Sequence, residues 1–173
     1  DYALGTNMIS RPIVLGPLVG IALGDVQQGV ILGATLELFF LGAVSVGAYL
    51  PPNVLVGGVL GTAFAISLNK GTEVAITLAF PIALLVTAIQ NVILSVIMPM
   101  IAQIADRYAK KGSYRGVEFI HIIIGMSTCL ISGTIVFLGY YIGSNRIENF
   151  VNKIPKVITD GLGIATGLLP ALG

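Results

Sequence analysis

Charged residues and cysteines are scarce in this chain. Only 10% of its 173 residues are Asp, Glu, Lys or Arg, whereas 55% are hydrophobic. Because soluble domains carry about 25% charged residues, this composition indicates an integral membrane protein. The single cysteine, Cys129, excludes an internal disulfide and a cysteine-based metal cluster. Its apolar neighbours favour a small buried residue over a reactive thiol.

Catalytic and cofactor-binding motifs are also missing. The only histidine is His121, and the sequence has no Ser-His-Asp arrangement, no histidine pair and no glycine-rich lysine loop for phosphate. We therefore expect no enzyme activity by this chain alone, no catalytic residue, no metal and no cofactor. A lone membrane histidine is more often an interhelical hydrogen-bonding group than a proton relay or a ligand contact, and both remain open. With a net charge of +1 and dispersed basic residues, no nucleic-acid partner is expected.

Two polar motifs interrupt the apolar N-terminal half, at residues 24–29 (Gly-Asp-Val-Gln-Gln-Gly) and 33–38 (Gly-Ala-Thr-Leu-Glu-Leu). A carboxylate at mid-membrane depth costs about 3 kcal/mol, so acids persist there when they face a cavity, an ion or a polar ligand. We interpret these motifs as the wall of a polar site containing Asp25 and Glu37. The alternative is a loop at the membrane interface with Glu37 as a helix-end charge, which explains Asp25 well and Glu37 poorly.

Residues 1–73 contain short or interrupted apolar segments. Residues 13–24 and 54–68 are shorter than the roughly 20 residues that cross the hydrocarbon, and glycines punctuate residues 30–48. Broken helices with polar turns at depth are typical of transporter sites. We therefore predict that residues 1–73 form the substrate-site region.

A short pattern also repeats in this region. The spacing Leu-Val-Gly-x-x-Leu-Gly begins at Leu18 and again at Leu55, an offset of 37 residues. Each copy runs into a polar turn and a further apolar stretch, which favours a hairpin repeat. Chance recurrence of common residues is the alternative.

The rest of the chain, 74–173, predicts full spans. Residues 74–98 and 119–142 are long enough to cross a bilayer, and amides halfway along the first should bond neighbouring helices. Between them, the basic run at 103–116 predicts a cytoplasmic loop. Apolar residues at helical spacing in 146–156 predict an amphipathic helix in the membrane interface. The whole chain is thus predicted to be one all-α polytopic membrane domain, a piece of a longer protein, mixing full spans with broken or re-entrant half-helices.

Residue chemistry alone points to the binding and movement of a polar solute. Carboxylates and amides in a small enclosed site suit a sugar, whose hydroxyl groups require both acceptors and donors. They suit a cation equally well, so an ion-coupled transporter remains an alternative at this point.

Motifs along nearly the whole chain resemble one family, the IIC membrane subunit of the mannose/fructose/sorbose/N-acetylgalactosamine class of bacterial sugar phosphotransferase systems. They are Arg-Pro-Ile-Val at 11–14, the two polar motifs, Pro-Pro-Asn at 51–53, Phe-Ile-His at 119–121, Ile-Pro-Lys-Val at 154–157 and the glycine-rich run at 161–167. The resemblance implies a multi-pass protein of the bacterial cytoplasmic membrane. It also implies a IID membrane subunit, cytosolic IIA and IIB phosphocarrier units, a hexose or amino-sugar substrate and a higher oligomer.

Carried onto this sequence, the resemblance implies sugar contacts from a set of polar residues: Asp25, Gln28, Thr35, Glu37 and Asn53. Three further candidates follow from the second polar turn and from the lone histidine: Asn69, Glu73 and His121. An alternative within the family is a docking subunit that leaves most sugar contacts to IID and offers an outer surface to bacteriocins.

Overall fold

The computed structural model describes residues 8–43 and 51–144, Met98 by its backbone only, and the single positions 147, 151, 155, 157, 160, 161 and 164. The two continuous ranges are helical and contain no β-strand, which confirms the predicted all-α class. Their helices are a 3-10 turn (Met8–Ser10), α1 (Pro12–Leu23), α2 (Val26–Phe39), α3 (Val54–Ser67), α4 (Thr72–Lys110) and α5 (Tyr114–Gly143).

The helices fall into two length classes. The first three have 12, 14 and 14 residues, which at 1.5 Å per residue gives only about 18–21 Å. Helices α4 and α5 have 39 and 30 residues and are long and apolar enough to cross a membrane by length and composition. The apolar surfaces of α4 and α5 are mostly unburied within this chain, so they require an apolar environment around them.

Glycines bring α1 and α2 into backbone contact. A methyl group added to Gly16 would lie 2.5 Å from the Cα atom of Gly33 and 2.6 Å from the carbonyl oxygen of Gly29. One added to Gly20 would lie 2.9 Å from the Cα atom of Gly29. Each helix thus presents two small residues at a spacing of four, as closely packed membrane helices do. The two helices form a hairpin with no room for a larger side chain along this seam.

Three helices end in a residue with left-handed backbone geometry. The φ angle is +83° at Gly24 after α1, +50° at Asn69 after α3 and +66° at Gly112 after α4. At the end of α3, the N–H group of Lys70 donates to the carbonyl of Ala65 at 2.9 Å, the long bond of a Schellman motif. Glycine and asparagine tolerate this geometry, which explains why the chain reverses at these three points.

A second hairpin is formed by α3 and the first half of α4. Methyl groups added to Gly57 and Gly61 would lie 2.8 Å from the Cβ atoms of Ala83 and Ala79, respectively. The N-terminal half therefore contains two successive helical hairpins. The sequence offset of 37 is not the structural equivalence, however, because it pairs Gly24, which ends α1, with Gly61, which lies within α3.

Helix α3 is the centre of the packing. Ten of its 14 residues are buried, and it contacts the other four helices. Leu32 and Leu36 of α2 share one apolar cluster with Ile76 of α4. A second cluster joins Leu60 of α3 to Leu78 of α4 and to partly buried residues of α5.

The predicted loop at 103–116 is much shorter in the structure. Helix α4 runs through Pro99 and on to Lys110, and α5 begins at Tyr114, so only residues 111–113 connect them. Residues 101–110 are mostly strong helix formers, and their basic side chains at the C-terminus of α4 interact favourably with the helix dipole. The basic residues therefore lie on the tip of a helical hairpin rather than in an extended loop.

The predicted interfacial helix at 146–156 lies mostly outside the described residues. Ile147 and Val151 are helical, and Val151 is 9% exposed in the cluster around Leu60. At these two positions the apolar face contacts the helix bundle.

The prediction that Cys129 is buried is wrong, because Cys129 is exposed on α5. Sequence neighbours on a helix point in several directions, so apolar neighbours do not reveal which face packs.

Candidate functional site

The turn between α1 and α2 holds the first two candidate residues. The Asp25 carboxylate accepts the backbone N–H of Gln28 at 2.9 Å and so caps the N-terminus of α2. This satisfies one of the unpaired amides that every helix start presents. The side chain of Gln28 is half-buried and makes no hydrogen bond within the described part of the chain. Asp25 thus has a local structural role as a helix cap.

Glu37, near the end of α2, pairs with an arginine 26 residues earlier. The Arg11 guanidinium contacts the Glu37 Oε1 atom twice, from Nη2 at 2.5 Å and from Nε at 2.6 Å. The backbone N–H of Ile13 donates weakly to the Glu37 Oε2 atom at 3.4 Å. The side chains are largely shielded, with exposures of 25% for Arg11 and 16% for Glu37. An acid in an apolar setting requires a partner, and Arg11 is that partner for Glu37.

The hairpin geometry creates this pairing. A methyl group on Gly33 would lie 2.6 Å from the carbonyl oxygen of Pro12, so the start of α1 lies against α2 at this level. Glu37 is one helical turn beyond Gly33 on the same face. The glycine seam therefore sets the register that brings Glu37 to Arg11.

A second polar group surrounds Asn53 at the start of α3. Its side-chain oxygen accepts the N–H of Val56 at 2.9 Å, and its amide nitrogen donates to Gln90 of α4 at 2.7 Å. Its backbone N–H donates to the Thr87 hydroxyl at 2.7 Å. Gln90 in turn donates to the Ser132 hydroxyl of α5 at 3.2 Å. We call these four residues, Asn53, Thr87, Gln90 and Ser132, the three-helix polar cluster.

The position of this cluster along α4 is informative. Thr87 and Gln90 lie about halfway along the apolar stretch 74–98. The expectation that a mid-span amide bonds neighbouring helices is confirmed for Gln90. Asn91 makes no side-chain hydrogen bond among the described residues.

The other candidates are dispersed. Thr35 bonds back to the carbonyl of Ile31 at 2.8 Å and, two positions from Glu37, points in a different direction. Asn69 is exposed in the left-handed turn, and Glu73 is half-buried in the first turn of α4. His121 is exposed on α5.

The five principal candidates do not form one cluster. Asp25 and Glu37 lie at opposite ends of α2, about 18 Å apart along its axis. The start of α1 packs against the first half of α3, because a methyl group on Gly58 would lie 3.2 Å from the Pro12 side chain. The Arg11–Glu37 pair therefore lies at the end of the α1–α2 hairpin that packs against the first half of α3, the helix that Asn53 caps, and the turn at Asp25 lies at the other end of the hairpin.

Sequence reasoning missed Arg11 as the partner of Glu37, and it missed Thr87 and Ser132 as members of the three-helix polar cluster. The available signal for the ion pair was an arginine directly before a proline at a helix start, followed 26 residues later by an acid within an apolar stretch. Hydroxyl groups in apolar helices give no such signal, because they often bond their own helix, as Thr87 also does with the carbonyl of Ala83 at 2.8 Å. Among the described residues, no three His, Cys, Asp or Glu side chains come together as a metal site.

Comparison with known proteins identifies the family. The family model described as the sorbose-specific IIC component of the phosphotransferase system matches residues 1–173. The chain is 30% identical over 164 residues to the mannose-specific EIIC component of Escherichia coli K12, covering 94% of this chain and 61% of that protein. It is 33% identical over 170 residues to the fructose permease IIC component of Bacillus subtilis, covering 98% and 63%.

Solved structures agree. A structure described as a membrane protein superposes with a TM-score of 0.79 at 29% identity, covering 98% of this chain and 68% of that one. A mannose transporter ManYZ in complex with microcin E492 gives a TM-score of 0.72 at 29% identity, with the same coverage. The chain spans about three fifths of the length of the curated relatives it matches. This chain belongs to the family of IIC components of the sugar phosphotransferase systems.

Proposed function

We propose that this chain is the sugar-translocating part of a IIC subunit in a bacterial cytoplasmic membrane. It binds a hexose or an amino sugar together with a IID membrane subunit and passes it inward. Cytosolic IIA and IIB units supply the phosphoryl group, so this chain contributes binding and movement rather than bond making. Helices α4 and α5 cross the bilayer, and the shorter α1, α2 and α3 are half-length or re-entrant segments.

The observation that carries this proposal is the presence of two partnered polar groups within the apolar helix bundle. The Arg11–Glu37 pair adjoins Pro12, which packs against Gly58 of α3, and the three-helix polar cluster lies where α3 begins, about halfway along the apolar part of α4. A sugar needs acceptors and donors together, and the carboxylate of Glu37 and the amide of Asn53 supply both. A cation site needs several converging oxygens without a competing positive charge, so Arg11 beside Glu37 favours the sugar.

The test is sugar binding by the full-length IIC protein with its IID partner, measured by calorimetry over a panel of hexoses and amino sugars. Glu37→Gln keeps the shape but removes the charge, and we expect it to weaken sugar affinity about 10-fold or more. Asp25→Asn preserves the helix cap and lies at the far end of α2, so affinity should stay near that of the unmodified protein. The opposite pattern would move the site to the turn at Asp25.

A docking role is the second candidate. Large apolar side chains on α4 and α5 are exposed, such as Val92 at 67% and Leu130 at 68%. These faces suit a partner helix or lipid. If Glu37→Gln and Asp25→Asn both leave sugar binding unchanged while IID still copurifies, the chain acts mainly in assembly, and its outer surface becomes the candidate bacteriocin contact.

A further inference from the structure

We propose that Arg11 is a positioning residue for sugar recognition, acting only through Glu37. The inference rests on the proposed function, because it assumes that Glu37 contacts the sugar. It adds a residue that makes no sugar contact itself and a specific atom, Glu37 Oε2, that accepts the sugar hydroxyl.

The division of hydrogen bonds over the carboxylate carries this inference. Both guanidinium contacts, from Nη2 and from Nε, go to the Oε1 atom of Glu37. Among the described residues, the Oε2 atom receives only the 3.4 Å contact from the backbone of Ile13, which is long for an N–H bond. An ionised carboxylate has about four acceptor positions, about two on each oxygen, so Oε2 keeps at least one for a further donor. Arg11 thereby engages one oxygen and leaves the other for a donor from the ligand.

The rigidity of the surroundings makes this orientation definite. Arg11 directly precedes Pro12, which is fully buried, and Pro12 contacts both Gly33 of α2 and Gly58 of α3. The backbone from which the Arg11 side chain extends is therefore held in a fixed position. Its planar fork then holds Glu37 in one orientation, which a flexible lysine reproduces only in part.

Two other roles for Arg11 give different results. If Arg11 only clamps the ends of the α1–α2 hairpin, its loss lowers thermal stability and leaves sugar affinity unchanged. If Arg11 binds the sugar directly, its loss weakens affinity even when Glu37 has already been replaced.

The experiment is a double-mutant cycle on the full-length IIC–IID complex, with sugar affinity measured by calorimetry and unfolding temperature by circular dichroism. We expect Arg11→Gln to weaken affinity about 10-fold or more, and Arg11→Lys to restore part of it. We expect the double variant Arg11→Gln/Glu37→Gln to bind no more weakly than Glu37→Gln alone. Arg107→Gln, which removes an exposed arginine in the last turn of α4, is the matched control and should bind normally.

The outcomes separate the two proposals. If Glu37→Gln binds sugar normally, the proposed site fails. If Glu37→Gln weakens binding and Arg11→Gln does not, the site stands and the positioning role is refuted. A double variant that binds distinctly more weakly than Glu37→Gln also refutes it, because Arg11 would then contact the sugar itself.

Discussion

The glycine seam between α1 and α2 gives the most quantitative prediction, tested by Gly16→Ala. The new methyl group would lie 2.5 Å from the Cα atom of Gly33, where ordinary contacts begin at 3.4 Å. Both neighbours are backbone, so no side chain can rotate away, and the helices must separate by about 1 Å. A gap of that size forfeits about a quarter to a half of each dispersion contact along the seam.

Two opposing contributions set the magnitude. Overpacking of this kind costs about 1–3 kcal/mol, and the absence of any movable side chain favours the upper end. Alanine recovers about 1 kcal/mol of helix propensity relative to glycine. The net loss is about 2 kcal/mol, which corresponds to an unfolding temperature lower by about 4–8 °C.

The assay is thermal unfolding of the purified full-length protein in detergent, followed by helical circular dichroism. Gly133→Ala is the matched control, because no atom of the described residues lies within 4 Å of a methyl group at this α5 position. The same propensity gain without a clash should raise its unfolding temperature by about 2–4 °C. If Gly16→Ala unfolds at or above the temperature of the unmodified protein, the backbone contact between α1 and α2 does not exist as described.

Two further predictions concern α3 and α5. Asn53→Ala removes both the α3 cap and the bond to Gln90, so it should destabilise the protein by about 2 kcal/mol, whereas Asn53→Asp keeps the cap and should lose less. In denaturation experiments, equal losses would contradict the capping role, and no loss for Asn53→Asp would contradict the contribution of the bond to Gln90. Cys129 lies inside the apolar stretch of α5, so a membrane-impermeant maleimide should not modify it in sealed vesicles but should do so after solubilisation in SDS. A cysteine introduced by Ser144→Cys, in a Cys129→Ser background, is the control at the exposed end of α5, and rapid labelling of Cys129 in intact vesicles would contradict a spanning α5.

Local features of the sequence predicted much of the fold. The lengths of the apolar segments distinguished the short α1 and α3 from the long α4 and α5, because segment length and hydropathy are read directly from consecutive residues. The polar residues Asp25 and Asn53 stand at helix starts for an equally local reason, since a cap bonds an amide three residues later. Scarcity of charge indicated a membrane protein before any contact was known.

The extent of α4 was not predictable in the same way. Pro99 and the basic residues after it suggested a boundary, yet the helix continues to Lys110. A proline removes one hydrogen bond, whereas most of the eleven helical residues that follow it, 100–110, are good helix formers, and the sum favours continuation.

The candidate site depended on tertiary structure to a greater degree. In the sequence, Asp25 and Glu37 appear as two acids of one polar stretch. The unbroken helix α2 places them at opposite ends, about 18 Å apart along its axis. Arg11 and Glu37, separated by 26 positions, become direct partners.

The sequence by itself determined the helical class, the mixture of short and long segments, and the helix caps, because each depends on residues within one or two turns of one another. Only the tertiary structure decided which acid is paired, which amides meet across helices and which face of α5 is exposed. Those outcomes follow from the register of helix against helix. That register is fixed by backbone contact at a few glycines whose partners lie far away in the chain.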